Sequence, residues 1–253
     1  MQGAFFALSL LFLLKYIYGG IIMTKTKNHT AANRVDVKKM SVMAMFIALG
    51  YICLFVFRFK VSFLTLDFKD VFITLGGFVY GPVAAIVIAF VEALLELVTV
   101  SDTGFWGALM NFCGSASFAV TASLIYKYNK NFKGAVIGLV SAVFCMTAVM
   151  LLMNLIITPI YSHVPVKTVV GMILPLLLPF NLIKSVLNAA ITFVLYKPMS
   201  QAFKNLGLIP KGESQFTFGK KSVISLIVAA AFIAASIILV FIVFKGNFEF
   251  VRS

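Results

Sequence analysis

The chain alternates long apolar runs with short polar, mostly basic segments, and the run lengths set the expected elements. An apolar helix needs about 20 residues to cross a bilayer. Residues 40–57 predict a first helix, followed by a short mixed loop over 58–70. The run from Val71 to Val100 is broken at Gly81-Pro82. Proline is tolerated in a first helical turn and disruptive inside a helix, so the break predicts two helices, about 68–80 and 82–100. Further helices are expected over about 104–126, 134–157 and 171–196, with Pro175 and Pro179 near the start of the last and a loop over 158–169. Residues 222–244 predict one more span. The expected fold is an all-α membrane bundle of six transmembrane helices with an added C-terminal one.

Composition agrees: 62% of the 253 residues are hydrophobic and 11% charged. Soluble domains run near 45–50% and 25%. The formal net charge of +13 would suggest nucleic acid in a soluble domain. Here the basic residues lie between apolar runs, which suits the anionic cytoplasmic leaflet, so no nucleic-acid partner is expected. The charges also support the helix count. With two crossings between residues 68 and 100, Lys127, Lys130 and Lys133 share one side with the basic segment 23–39 and with Lys197, Lys204, Lys211, Lys220 and Lys221. The chain thus divides into residues 1–22, read as an extra anchor or an upstream extension; a cytoplasmic segment, 23–39; a six-helix core, 40–198; a basic linker, 199–221; and an added helix with its tail, 222–253. No internal repeat is evident.

Polar groups inside a membrane are costly, which makes them informative. Asn181, Lys184 and Asn188 share one helical face in PFNLIKSVLN, and Asn154 and Thr158 share another in MNLIITPIY. These groups suit a planar, amide-rich ligand, with Asn188 deeper; interhelical hydrogen bonding is the alternative. Glu92 and Glu96, one turn apart, suggest ion coupling, a solvated helix end, or a pair with a basic residue elsewhere. Asp67 and Asp70 are expected to cap the 68–80 helix, with direct ligand contact as the second reading. Ala44 and Ala48 lie four apart, a spacing that lets another helix approach closely. Cys53, Cys113 and Cys145 form no metal or redox pair. No GxxxxGK[ST], HExxH or GxSxG motif occurs, and nothing in the sequence points to an enzyme.

The segments LDFKDVFITLGGFVYGP (66–82), SDTGFWGALMNF (101–112), MNLIITPIY (153–161) and LPFNLIKSVLNAAITFVLYKP (178–198) resemble the riboflavin-specific S components of energy-coupling factor (ECF) transporters. The resemblance covers about two-thirds of the chain. It implies a six-helix vitamin receptor in a prokaryotic cell membrane, without an ATPase of its own. The implied partners are a membrane coupling (T) subunit and two ABC-type ATPases. It carries ligand contacts onto Asn154, Asn181 and Lys184, and docking on the coupling subunit onto Ala44 and Ala48. Riboflavin would be transported cargo rather than a resident cofactor, with FMN as a second candidate. Phe63, Leu64 and Leu109 are expected to sandwich the flavin ring. The other readings are an S component for thiamine or pantothenate, and a stand-alone proton-coupled carrier using Glu92 and Glu96. Residues 1–22 and the added helix depart from the family pattern.

Overall fold

A computed structural model describes residues 37–101, 103–205 and 249–250. Within them α1 (Val37–Val56) is followed by strands β1 (Phe59–Val61) and β2 (Leu64–Leu66) and helices α2 (Lys69–Tyr80), α3 (Pro82–Thr99), α4 (Gly104–Tyr128) and α5 (Phe132–Ser162). Next come α6 (Val166–Met172), a π-helical turn (Ile173–Leu177), α7 (Leu178–Asn205) and β3 (Glu249–Phe250). Residues 1–22, most of segments 23–39 and 199–221, and the added helix 222–244 lie outside the described residues. By contacts, Met1–Ser41 and Val42–Ser253 form separate units.

Among the described residues, five helical stretches are long and apolar enough to cross a membrane. The sixth element of the core, α2, has 12 residues and so a length of about 18 Å. It is buried against α3, α4 and α7. The α2–α3 break falls where the sequence placed it. Gly81 is both the C-cap of α2 and the N-cap of α3, at φ 92°, a left-handed conformation that favours glycine, and Pro82 opens α3.

The surfaces invert the pattern of a soluble protein. Along α3, Ala84, Ala85, Ile88, Ala89, Glu92 and Glu96 face inward, while Val83, Ile86, Val87, Phe90 and Leu94 are exposed. The outward face is lipid-compatible, and the polar groups are inside, as a bilayer requires. Small residues allow close packing. A Cβ built on Gly138 of α5 would lie 2.7 Å from the backbone oxygen of Ala122 on α4. Gly138→Ala should therefore destabilise the fold by about 1–3 kcal/mol. Thermal unfolding in detergent checks this; an unchanged midpoint would mean that the two helices separate freely.

The structure corrects four expectations. The 58–70 loop contains an antiparallel hairpin, with Phe59 opposite Leu66 and Val61 opposite Leu64. β1 also pairs with β3, Phe59 lying opposite Phe250. The fifth helix continues through Pro159 to Ser162, beyond the expected end at 157. The run expected as a helix from 171 starts at Val166, and its two prolines are absorbed by the π-helical turn and the start of α7. A wider turn accommodates backbone that cannot make the regular i→i−4 bond. Finally, neither Asp67 nor Asp70 caps α2: its N-cap is Phe68, and no side chain bonds there.

Among the described residues, three apolar clusters build the interior. One joins Val42 and Phe46 of α1 to Val71 and Ile73 of α2 and Ile88 of α3. A second joins the hairpin (Leu64, Leu66) to Val169 of α6 and to Phe180, Ile183 and Leu187 of α7. The third joins Met110 and Phe118 of α4 to Leu139, Met146 and Met150 of α5.

Candidate functional site

A cavity of ≈ 260 Å³ opens where the second and third clusters meet. Its roof is the hairpin, through Arg58, Lys60, Ser62, Phe63, Leu64 and Thr65. Ser62, at φ 58°, holds the tight turn. One wall is α4, through Gly107, Met110, Asn111, Gly114 and Ser115. This i, i+3, i+4, i+7, i+8 stripe is one continuous helical face. Met146, Met150 and Tyr161 come from α5, and Phe180, Asn181 and Lys184 from α7. Aromatic rings, thioethers, amides and cations thus line one space, the mixture expected of a small-molecule site.

Of the residues singled out in the sequence, the cavity brings together Phe63, Leu64, Asn181 and Lys184. Asn181 is buried and donates through Nδ2 to the Leu177 carbonyl at 2.8 Å. Lys184 donates through Nζ to Asp67 Oδ2 at 2.9 Å and to the Thr65 carbonyl at 3.2 Å, tying the roof to α7.

The other five line no part of it. Asp67 lies behind Lys184 as its counter-ion, 1% exposed, with Oδ1 unpartnered. Burial alone would raise the Asp67 carboxyl, but the Lys184 and Lys69 ammonium groups outweigh burial and hold it below the usual carboxylate range. Asn188 donates through Nδ2 to the Asp67 carbonyl at 3.1 Å and to the Lys184 carbonyl at 3.0 Å, bracing the connection into α2. Asn154 donates to the Met150 carbonyl at 2.7 Å and accepts from Thr158 Oγ1 at 3.0 Å, so their polar atoms are engaged along α5 itself. Leu109 packs into the α4–α5 cluster, and its neighbour Met110 reaches the cavity instead. A shared helical face sets direction, not which residue lines the cavity.

Sequence reasoning missed Asn111, Arg58, Lys60 and the methionines. Asn111 carried a usable signal, an amide inside an apolar helix run, as at Asn154. Glu96 is buried, accepting from Lys69 Nζ and from Asn111 Nδ2, the latter at 2.7 Å. It is the interhelical pair left open above rather than a solvated helix end. Glu92, also buried, lies against Gly50 of α1. Asp70 accepts from Ser115 Oγ of the cavity wall. Ala44 and Ala48 stay away from the cavity: Val42, Phe46, Gly50 and Leu54 form the buried face of α1, and Ala48 is exposed on the other.

Residues 38–196 match the family described as "ECF transporter, substrate-specific component". The chain belongs to the family of ECF transporter substrate-specific components. Over 180 residues it is 31% identical to the riboflavin transporter RibU of Staphylococcus aureus (strain TCH60), covering 67% of this chain and 94% of that one. It is 27% identical over 182 residues to the riboflavin transporter FmnP of Bacillus subtilis (strain 168), covering 65% and 94%. A solved structure titled "Structure and mechanism of the S component of a bacterial ECF transporter" matches with a TM-score of 0.57 at 32% identity, over 66% of this chain and 98% of that one. The chain is therefore a multi-pass membrane S component with the core fold read from the sequence.

Proposed function

We propose that this S component captures riboflavin at the extracellular face of a prokaryotic plasma membrane and delivers it for ATP-driven uptake. The observation that carries the reading is the cavity itself. It offers Phe63, Leu64, Phe180 and three methionines to a flat ring system, and Asn111, Asn181 and Lys184 to its polar edge or the ribityl hydroxyls. The named riboflavin transporters among the relatives support the same ligand. The cavity lies at the hairpin end of the bundle, away from the α4–α5 turn with Lys127, Lys130 and Lys133. The positive-inside rule puts that turn in the cytoplasm and the cavity outside. The chain has no nucleotide-binding loop, so ATP hydrolysis falls to two ATPase subunits, joined through a membrane coupling subunit that docks on Ala44 and Ala48.

One feature of the wall favours a second ligand. It carries three cationic side chains, Arg58, Lys60 and Lys184, the last paired with Asp67 behind it. A phosphate-bearing flavin, FMN, would meet favourable charge there.

Protein purified in detergent should quench riboflavin fluorescence on titration. FMN should compete for the same site, more strongly at low ionic strength. Protein that leaves riboflavin fluorescence unchanged yet binds thiamine or pantothenate would overturn the assignment. Uptake into vesicles that lack ATPases would instead support the carrier reading.

A further inference from the structure

Asn111 stands between two environments. It lines the cavity, while Glu96, which it contacts from behind, does not. The Glu96 carboxylate, 2% exposed, also accepts from Lys69 Nζ. A carboxylate ion-paired with lysine offers only acceptors. The amide of Asn111 must therefore turn its NH2 towards Glu96, and Nδ2 donates there at 2.7 Å. An asparagine on a solvated surface chooses its own orientation; this one is fixed by its backing group. With Nδ2 committed to Glu96, Oδ1 is the amide atom that remains to meet a ligand in the cavity that Asn111 lines. Lys184, on the facing helix α7, supplies donors only. The wall thus offers an oriented acceptor on one side and an ammonium on the other.

We infer that Asn111 is a specificity-determining contact that reads a donor hydrogen on the ligand, and that Glu96, held by Lys69, is the positioning residue that fixes the amide. The inference rests on the riboflavin reading. Riboflavin carries two kinds of donor, the imide N3–H of the ring and the ribityl hydroxyls. Both present the same chemistry to Asn111 Oδ1. A ligand that lacks the donor leaves that oxygen buried without a partner, a penalty of roughly tenfold or more in affinity.

The test compares riboflavin with N3-methylriboflavin, which lacks the imide donor, and with lumiflavin, which lacks the ribityl hydroxyls. Binding is measured by fluorescence titration to wild-type protein, Asn111→Leu and Glu96→Gln. Wild type should prefer riboflavin to one of the two analogues by roughly tenfold, which identifies the donor read. Asn111→Leu should erase that preference by weakening riboflavin while sparing the analogue. Glu96→Gln should reduce the preference too, because a glutamine amide either donates or accepts and lets Asn111 turn over. A purely structural role would weaken all three ligands alike and keep their ratios. If Glu96→Gln alone fails to give monodisperse protein, the Lys69→Met/Glu96→Gln pair, with neither charge left unpaired, carries the same arm. Wild-type protein that does not bind riboflavin overturns the function proposed above. Riboflavin binding whose analogue ratios are absent, or unchanged in Asn111→Leu, overturns only the role of Asn111.

Discussion

Lys184→Met should reduce riboflavin affinity by roughly 10–100-fold and lower the thermal midpoint at the same time. The two losses have different origins. Lys184 lines the cavity, and its removal takes away a donor that the ligand edge would use. The same ammonium is the partner of Asp67 Oδ2 at 2.9 Å, and Asp67 is 1% exposed. Removing one member of a buried pair leaves an uncompensated charge, a penalty of about 3–5 kcal/mol. The bond to the Thr65 carbonyl also goes, so the roof loses its tie to α7. Adding Asp67→Asn to Lys184→Met should restore much of the stability without restoring affinity. Fluorescence titration and thermal unfolding on the same preparations separate the effects. Unchanged affinity in Lys184→Met removes the lysine from the ligand site.

Ala44→Leu should leave riboflavin binding intact and abolish uptake. Ala44 and Ala48 lie two residues after Val42 and Phe46, which is about 200° around the helix. The buried face of α1 therefore points into the bundle, and the alanines, with Ile52 at 57% exposure, point away. A leucine there touches neither the core nor the cavity. It does prevent another helix from approaching at the distance that alanine permits. Riboflavin titration of the purified variant, beside uptake by cells carrying the partner subunits, distinguishes the two properties. Normal uptake would rule out docking on this face, and lost binding would place Ala44 in the fold rather than at the interface.

Run length and charge alone determined the class of this protein. Apolar stretches can satisfy their backbone in a bilayer only as helices, and lysines between them assign the sides. Those rules are local, so the six core elements and the Gly81-Pro82 break were legible without coordinates. The inward-facing polar residues were legible too, because a buried amide or ammonium in an apolar helix has few places to go. Tertiary structure decided what each of them meets. Asn154 and Thr158 engage each other along α5, and Asn188 engages backbone at Asp67 and Lys184. Asn181 and Lys184 alone among the five polar residues flagged on α5 and α7 reach the cavity. Helical periodicity gives the azimuth of a side chain; the depth of a void depends on how neighbouring helices are spaced. The hairpin roof, the buried short helix α2 and the Glu96–Asn111 contact depend in the same way on segments far apart in the chain. No single stretch of sequence encodes where they meet.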